Sequence, residues 1–568
     1  MPPNILHLHT YFLFPFSIDR RTVMADHRDI WAGHTRWMDG LDEWIAVHPA
    51  RADSALVREI GPWRRATYTQ FDMDSPAYQD MVFFHPIVRR VFFDTAGAEG
   101  VEKEALLRCY RIPLRSPARL WFEAEDRRGR SAAAEITDLR LFLFANGIGI
   151  LSIGVEAFRI SAPEALWINE NFRKVYPSSG RQIREARIPC RMAFALEQDG
   201  VRRRLVEERF EQCDMIGFQP PLAATIQGLL YFADYEREEY EPVLDERMVV
   251  YTYFAVDPAS VEAGYAASES YQQLLSRFLY VDRWGEGYRY EPEFTRRQMR
   301  RQVYRRWAHQ GTYYGFTSYS SLTAAIGTHD CDDHVLGEGF LIHRMFDTRY
   351  YLMTVVALFY RATLLEFSER TALVSKQLYL DHEDGRFSKE NIRLASDLRA
   401  EFLHFANYWH FDELANKDEE LEHFQLMCRQ YRTAPMKREI EEEIEKLNAS
   451  LHNYYQFRNT EAVNRLAMLS LMLGLGAVAT GFFGMNFGHH FERWFFDPDP
   501  ATMPVHYAAL AAVVLVVIAA LVFGFYVVAR NWSDYREILT GTGDGAQVPS
   551  LKRGAGPKGR VRPNGEAG

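Results

Sequence analysis

Two short stretches of this chain concentrate residue types that hold metal ions. In "GFFGMNFGHHFERWFFDPDP", residues 481–500, a long apolar run stops at Gly484, Met485 and Asn486 and gives way to His489, His490, Glu492, Asp497 and Asp499. A carboxamide is neutral: its oxygen accepts hydrogen bonds from the water around a small cation without the deep binding of a carboxylate. That suits Mg²⁺, which gives up its waters reluctantly. Imidazoles instead favour Zn²⁺ and related ions, although adjacent histidines in a polar loop commonly hold nothing. The neighbouring carboxylates would raise the local cation concentration in a salt-screened way. The second stretch, "HDCDDH", brings together His329, Asp330, Asp332, Asp333 and His334. These are metal-ligand types, and the plainer alternative is a solvated loop or a helix cap.

The elements that must position Asn486 are helical and apolar. Residues 466–483 and 507–529 carry no charge, and each approaches the roughly 20 residues needed to cross a bilayer. Two other apolar runs are expected to stay out of a membrane. Residues 139–158 are split by Asn146-Gly147, a strong hairpin signal between runs rich in Ile, Val, Leu and Phe. Residues 352–367 carry Arg361 at their centre, which would cost about 3 kcal/mol in lipid, so a helix packed in protein is expected there. Arg458 and Arg465 precede the first span and Arg530, Arg536, Lys552, Arg553, Lys558, Arg560 and Arg562 follow the second. The positive-inside rule then puts both termini in the cytoplasm.

Upstream, Pro435 suits the first turn of a helix, and Ile440, Ile444, Leu447, Leu451 and Tyr454 recur at heptad spacing. Only glycines within the apolar run interrupt the helix formers up to Phe483. The seam is therefore expected to continue into the first span as one rod of roughly 70 Å, implying several copies about an axis. The expected organisation is an α+β cytoplasmic domain, then a long stalk helix and two C-terminal transmembrane helices. Its parts are an α/β N-terminal region (1–350), a helical region (351–434), the stalk and first span (435–486), an outer loop (487–505), the second span (506–530) and a basic, Gly- and Pro-rich disordered tail (531–568) that could touch anionic lipid. Residues 248–256 read as a strand, and residues 201–212 as a charged helix. From about Glu293 the pattern reads as continuously helical, over 293–310, 352–380, 389–408 and 414–431.

The balance of 66 basic and 76 acidic residues, net charge -10, argues against nucleic acid as a partner. Five scattered cysteines without CxxC spacing fit reduced thiols. The start of the chain, an apolar stretch with no preceding positive charge and interrupted by His7, His9 and Pro15, reads as a buried strand rather than a leader. The basic run Arg296, Arg297, Arg300, Arg301, Arg305 and Arg306 is expected to meet acidic helices bearing Asp412, Glu413, Asp418, Glu419, Glu420 and Glu422. No nucleotide-binding loop, nucleophile elbow or HExxH pattern appears, so no enzymatic site or cofactor is expected.

Gly484-Met485-Asn486 at the end of the first of two terminal spans, a short acidic outer loop and the lead-in "RNTEAVNRL" at 458–466 together resemble the CorA family of divalent-cation channels. The resemblance covers roughly residues 435–530. It implies a homo-oligomer, pentameric in the family, in the cell inner (plasma) membrane. Gly484, Met485 and Asn486 would form the selectivity filter, and Val463, Leu466, Ser470, Gly474, Ala477 and Gly481 would line the pore. Gly474 and Ala477 stand where the family has bulkier or hydroxyl side chains, which leaves Val463 and Leu466 as the hydrophobic gate; Phe483 replaces the usual Tyr. The cargo implied is Mg²⁺, and a role of the "HDCDDH" stretch as a cytosolic metal sensor is likewise only what the resemblance implies. Open alternatives are Zn²⁺, Co²⁺ or Ni²⁺ transport by the same kind of pore, favoured by His489 and His490, and a membrane-anchored sensor or scaffold with a vestigial pore.

Overall fold

The computed structural model describes residues 2–47, 55–67, 82–93, 106–175, 188–210, 222–327 and 342–484, apart from 33, 35, 115, 116, 245, 246, 286 and 384–386, together with scattered positions between 504 and 530. The chain divides into two compact units, Met1–Ile444 and Glu445–Gly568.

The first unit is organised by a 13-stranded sheet. Its strands are β1 (Asn4–Ile18), β2 (Arg64–Arg65), β3 (Leu107–Arg111), β4 (Arg119–Glu125), β5 (Ser131–Phe144), β6 (Ile148–Ser161), β7 (Arg191–Gln198), β8 (Val201–Arg209), β9 (Tyr240–Pro242), β10 (Val249–Val256), β11 (Val303–Tyr304), β12 (Tyr313–Phe316) and β13 (Ser320–Ile326). The main path runs β11-β12-β13-β10-β1-β6-β5-β4-β7-β8. Pairing is antiparallel throughout except between β10 and β13.

The helices that matter here are α1 (Ala162–Phe172), α2 (Pro292–Arg301), α3 (Ile342–Glu383), α4 (Lys389–His404), α5 (Asp418–Tyr431) and α6 (Thr433–Gly484). Strand β1 is central and covered on both faces, which is why it reads as a nearly unbroken apolar run. On one face Thr10 meets α1, donating from Oγ1 to Asn169 Oδ1 at 2.8 Å. On the other lies α3: Tyr351 donates to Ser152 Oγ at 2.7 Å, and Phe359 stacks on Phe144 at 4.0 Å between ring centres.

The Asn146-Gly147 hairpin forms as expected between β5 and β6. Gly147 has φ +94, and a Cβ there would stand 2.9 Å from the Ile18 carbonyl oxygen. Asn146 accepts from the Ile148 N–H at 3.2 Å and donates to Thr363 Oγ1 on α3 at 2.9 Å, so the turn also anchors the covering helix. Among the described residues α3 is the one helix long and apolar enough to cross a membrane, and 78% of its most apolar stretch is buried in the protein. Arg361 is held there by donating to the Ser318 carbonyl at 2.6 Å and by the Tyr431 ring, 5.4 Å away. The sequence expectation of a protein-packed helix over 352–367 agrees with this.

Three expectations need correction. Residues 201–209 are strand β8, not a helix. Asp199 and Gly200, with φ of 53° and 78°, turn β7 back on itself, as two positive φ values do in a tight hairpin. The region after Glu293 is not continuously helical either: α2 ends at Arg301, and β11, β12 and β13 follow before α3. Finally, the basic run meets the acidic helix only in part: Tyr304 raises the pKa of Arg306 most, and Glu419 and Glu422, in whose field it lies, raise it further, while α5 also finds other partners. Glu420 pairs with Arg349 at 2.9 Å, and Glu419 accepts from Trp307 Nε1 at 2.9 Å and from Tyr350 at 3.3 Å. In the basic run, Arg296 pairs with Glu293 on its own helix.

Helix α5 also buries His423 among the rings of Tyr304, Tyr314 and Tyr350, with centres 4.4, 4.4 and 4.8 Å away. Burial lowers its pKa to about 3, well under the 6.5 of an unfolded histidine. The unfolded chain therefore binds the extra proton between those values. The stabilisation is complete above pH 6.5 and is lost as pH falls toward 3, each unit of depression being worth about 1.4 kcal/mol. We expect the urea midpoint of the protein to fall steadily from pH 7 to pH 4.5, and His423→Gln to make that decline shallower when followed by tryptophan fluorescence.

Candidate functional site

The helix expected to carry the filter is one unbroken element, α6, of 52 residues, about 78 Å long at 1.5 Å per residue. It is separated from α5 by Arg432 in the left-handed conformation, φ 56. Pro435 lies in its first turn, where a missing N–H leaves no hydrogen bond unmade. Further along, Glu461 and Arg465 form an ion pair one turn apart within the "RNTEAVNRL" lead-in.

The row assigned to the pore is open in the single protomer. Val463 and Leu466 are 56% and 55% exposed, and Ser470, Gly474, Ala477 and Gly481 are exposed as well. A Cβ added at Gly474 or Gly481 would meet no described atom within 4 Å, so no described contact within the chain requires glycine at either position. The heptad seam behaves differently. Ile440, Ile444 and Leu451 are buried and Leu447 and Tyr454 half-buried within one protomer. At 100° per residue the seam lies about 120° around the helix from the open row. Within the single chain the seam is thus the covered side of α6, and the row from Val463 to Gly481 is its open side.

Gly484 is the last residue of α6. Met485, Asn486, His489 and His490 lie outside the described residues, as do His329, Asp330, Asp332, Asp333 and His334. Described positions in the second apolar run are helical, and Leu515, Val516, Ile518, Val522 and Phe523 are exposed there.

A different constellation emerges in the first unit. His7 and His9 alternate along β1 and so project from the same face. Glu156 on β6 is the register partner of His9, and His343 comes from the first turn of α3. One ligand atom from each of these four residues lies within 4.8 Å of all the others. His9 Nδ1 is 2.8 Å from His343 Nε2 and 3.6 Å from Glu156 Oε1, and His7 Nε2 is 3.3 Å from Glu156 Oε2. Directly after His343 the helix makes a π turn, Phe346–Tyr350, a distortion common at functional sites. That turn brings Asp347 to Tyr11, the next residue of the β1 row. Gly154 on β6 makes room for the Tyr11 ring, which a Cβ there would approach to 2.7 Å.

Burial lowers the pKa of His9 to about 3, against the opposing pull of Glu156, and burial also lowers that of His343. Burial alone would raise the Glu156 carboxyl, but the His7 hydrogen bond and the neighbouring imidazoles leave it below its usual range. The outcome is that three imidazoles and one carboxylate converge, with burial favouring the neutral form of His9 and His343 and their neighbours favouring the ionised form of Glu156. The signal for half of this site is plain in "HLHTY": a His-x-His pair in a strand shares one face. Sequence reading used His7 and His9 only as evidence against a leader, and nothing local links them to Glu156 or His343.

No family model, curated protein or solved structure significantly matches the chain.

Proposed function

We propose that the chain is one subunit of an oligomeric membrane channel for hydrated divalent cations, with Mg²⁺ as its cargo and a ring of Asn486 amides as its filter. The observation that supports this most directly is α6. It is a single helix, described as far as Gly484, that leaves an uncharged row of small and apolar residues uncovered. The exposed aliphatic side chains of the second apolar run suit contact with lipid tails. In this reading Val463 and Leu466 form the narrowest apolar ring, where dewetting stops conduction. The unit Met1–Ile444 is the cytoplasmic regulator. A membrane potential of 100 mV contributes about 2.3 kcal/mol per charge and acts twice on a divalent ion, so no hydrolysis by the protein is needed.

The deciding experiment is dye-reported flux into proteoliposomes with Mg²⁺, Zn²⁺, Co²⁺ and Ni²⁺ offered separately. Saturable Mg²⁺ entry driven by an inside-negative potential is expected. Zn²⁺ entry without Mg²⁺ entry would overturn the choice of ion. Absence of flux for all four would leave a membrane-anchored sensor or scaffold as the surviving reading.

A further inference from the structure

We propose that His7, His9, Glu156 and His343 form a closed binding site for one borderline transition-metal ion of the Zn²⁺ class, which fastens the start of α3 to strands β1 and β6. The site shares no residue with the proposed filter, stands independently of the channel reading, and takes a different kind of ion.

The donor set decides the class of metal. Three imidazoles and one carboxylate suit Zn²⁺, Co²⁺ or Ni²⁺, whereas Mg²⁺ takes oxygen ligands and keeps most of its waters. The geometry is close to what such an ion requires. Tetrahedral Zn²⁺ with bonds of about 2.0–2.1 Å places its ligand atoms about 3.3–3.5 Å apart. Three observed separations, 2.8, 3.3 and 3.6 Å, straddle that range, and all four ligand atoms lie within 4.8 Å of one another, so side-chain rotation would have to draw the wider pairs in.

Packing alone explains the cluster poorly. His9 is 3% exposed, and its Nδ1 faces His343 Nε2 at 2.8 Å and Glu156 Oε1 at 3.6 Å, so two ring nitrogens and a carboxylate oxygen are packed together out of water. Between His9 Nδ1 and His343 Nε2 a single proton can be shared, and protonating both rings would set two positive charges against each other in a buried place. A divalent ion would satisfy both nitrogens, His7 and the carboxylate together. The ion also has a way in: His7 and Glu156 are 13% and 19% exposed, and Phe158, 60% exposed, stacks on the outer side of His7 at 4.5 Å. Four protein ligands leave no open coordination position, so the site is fitted to hold or sense an ion rather than to turn over a substrate.

The test uses the full-length protein in detergent, carrying His329→Ala, His334→Ala, His489→Ala and His490→Ala so that other histidine pairs do not contribute. After chelation and dialysis, Zn²⁺ titration followed by elemental analysis should give about one ion per chain, undisplaced by a large excess of Mg²⁺. Co²⁺ in its place should show the intense visible absorption of a tetrahedral site. His343→Ala should weaken Zn²⁺ binding at least about tenfold and abolish the Co²⁺ bands. His343→Cys, which keeps a ligand, should retain the metal and shift those bands, separating ligand loss from misfolding. Equal binding by the parent and His343→Ala, no bound ion in the parent, or displacement by Mg²⁺ would each overturn the proposal, leaving a hydrogen-bonded cluster only. Bound Zn²⁺ in a protein that passes none of the four ions would overturn the channel reading and leave this site standing.

Discussion

Asn486→Ala should reduce Mg²⁺ flux in proteoliposomes by at least about tenfold while leaving the oligomer and the fold intact. A hydrated Mg²⁺ holds its waters strongly, so a filter admits it by accepting hydrogen bonds from the outer face of that shell. Removing a ring of amide oxygens withdraws several such bonds at once, and a tenfold loss corresponds to only about 1.4 kcal/mol. Asn486→Asp makes the complementary prediction. A carboxylate ring should bind the ion more tightly and release it more slowly, so that flux saturates at lower Mg²⁺ with a reduced maximum. Unchanged flux in both variants would remove Asn486 from the conduction path and with it the proposed filter.

Arg349→Met is expected to be the most damaging single change in the first unit. The Arg349–Glu420 pair is nearly withdrawn from water, with side chains 13% and 4% exposed and a separation of 2.9 Å, and the guanidinium also lies 3.5 Å from the centre of the Phe83 ring. It joins the π turn of α3 to the first turn of α5. Removing one partner strands a buried charge, which typically costs about 3–5 kcal/mol, whereas replacing both by apolar groups of similar volume is often close to neutral. Arg349→Met should thus lower the urea midpoint sharply, and Arg349→Met/Glu420→Leu should recover most of the loss. If the double variant is as unstable as the single one, the damage comes from lost packing rather than from the orphaned carboxylate.

What the sequence disclosed about this fold follows the range of the forces involved. Asn146-Gly147 could be read because a tight turn depends on two adjacent residues. Helix α3 was readable as protein-packed because one arginine outweighs its apolar neighbours in lipid. By contrast, "VRRRLVEER" has the charged composition of a solvated helix, and strand β8 exists because Asp199-Gly200 turns the chain and β7 offers it a register. Strands β11 and β12 are two and four residues long, too short for periodicity to declare itself. The heptad seam was legible as a pattern, but spacing alone does not say whether its partner is a second copy or the same chain. The histidine cluster is the extreme case: it draws on residues 7, 9, 156 and 343, brought together only by the sheet and the helix laid across it.

The place of β1 in the sheet also shapes how the chain can be made. This strand leaves the ribosome well ahead of its neighbours β6 and β10, which begin only at Ile148 and Val249. At 5–20 residues per second, more than ten seconds pass, on the order of magnitude, before both are available. Until β6 is made this strongly apolar ribbon has no edge to pair with, and until β10 is made one of its edges stays bare. Newly made chains should therefore depend on a holding chaperone during synthesis, and shortened chains ending before Val249 should aggregate rather than fold.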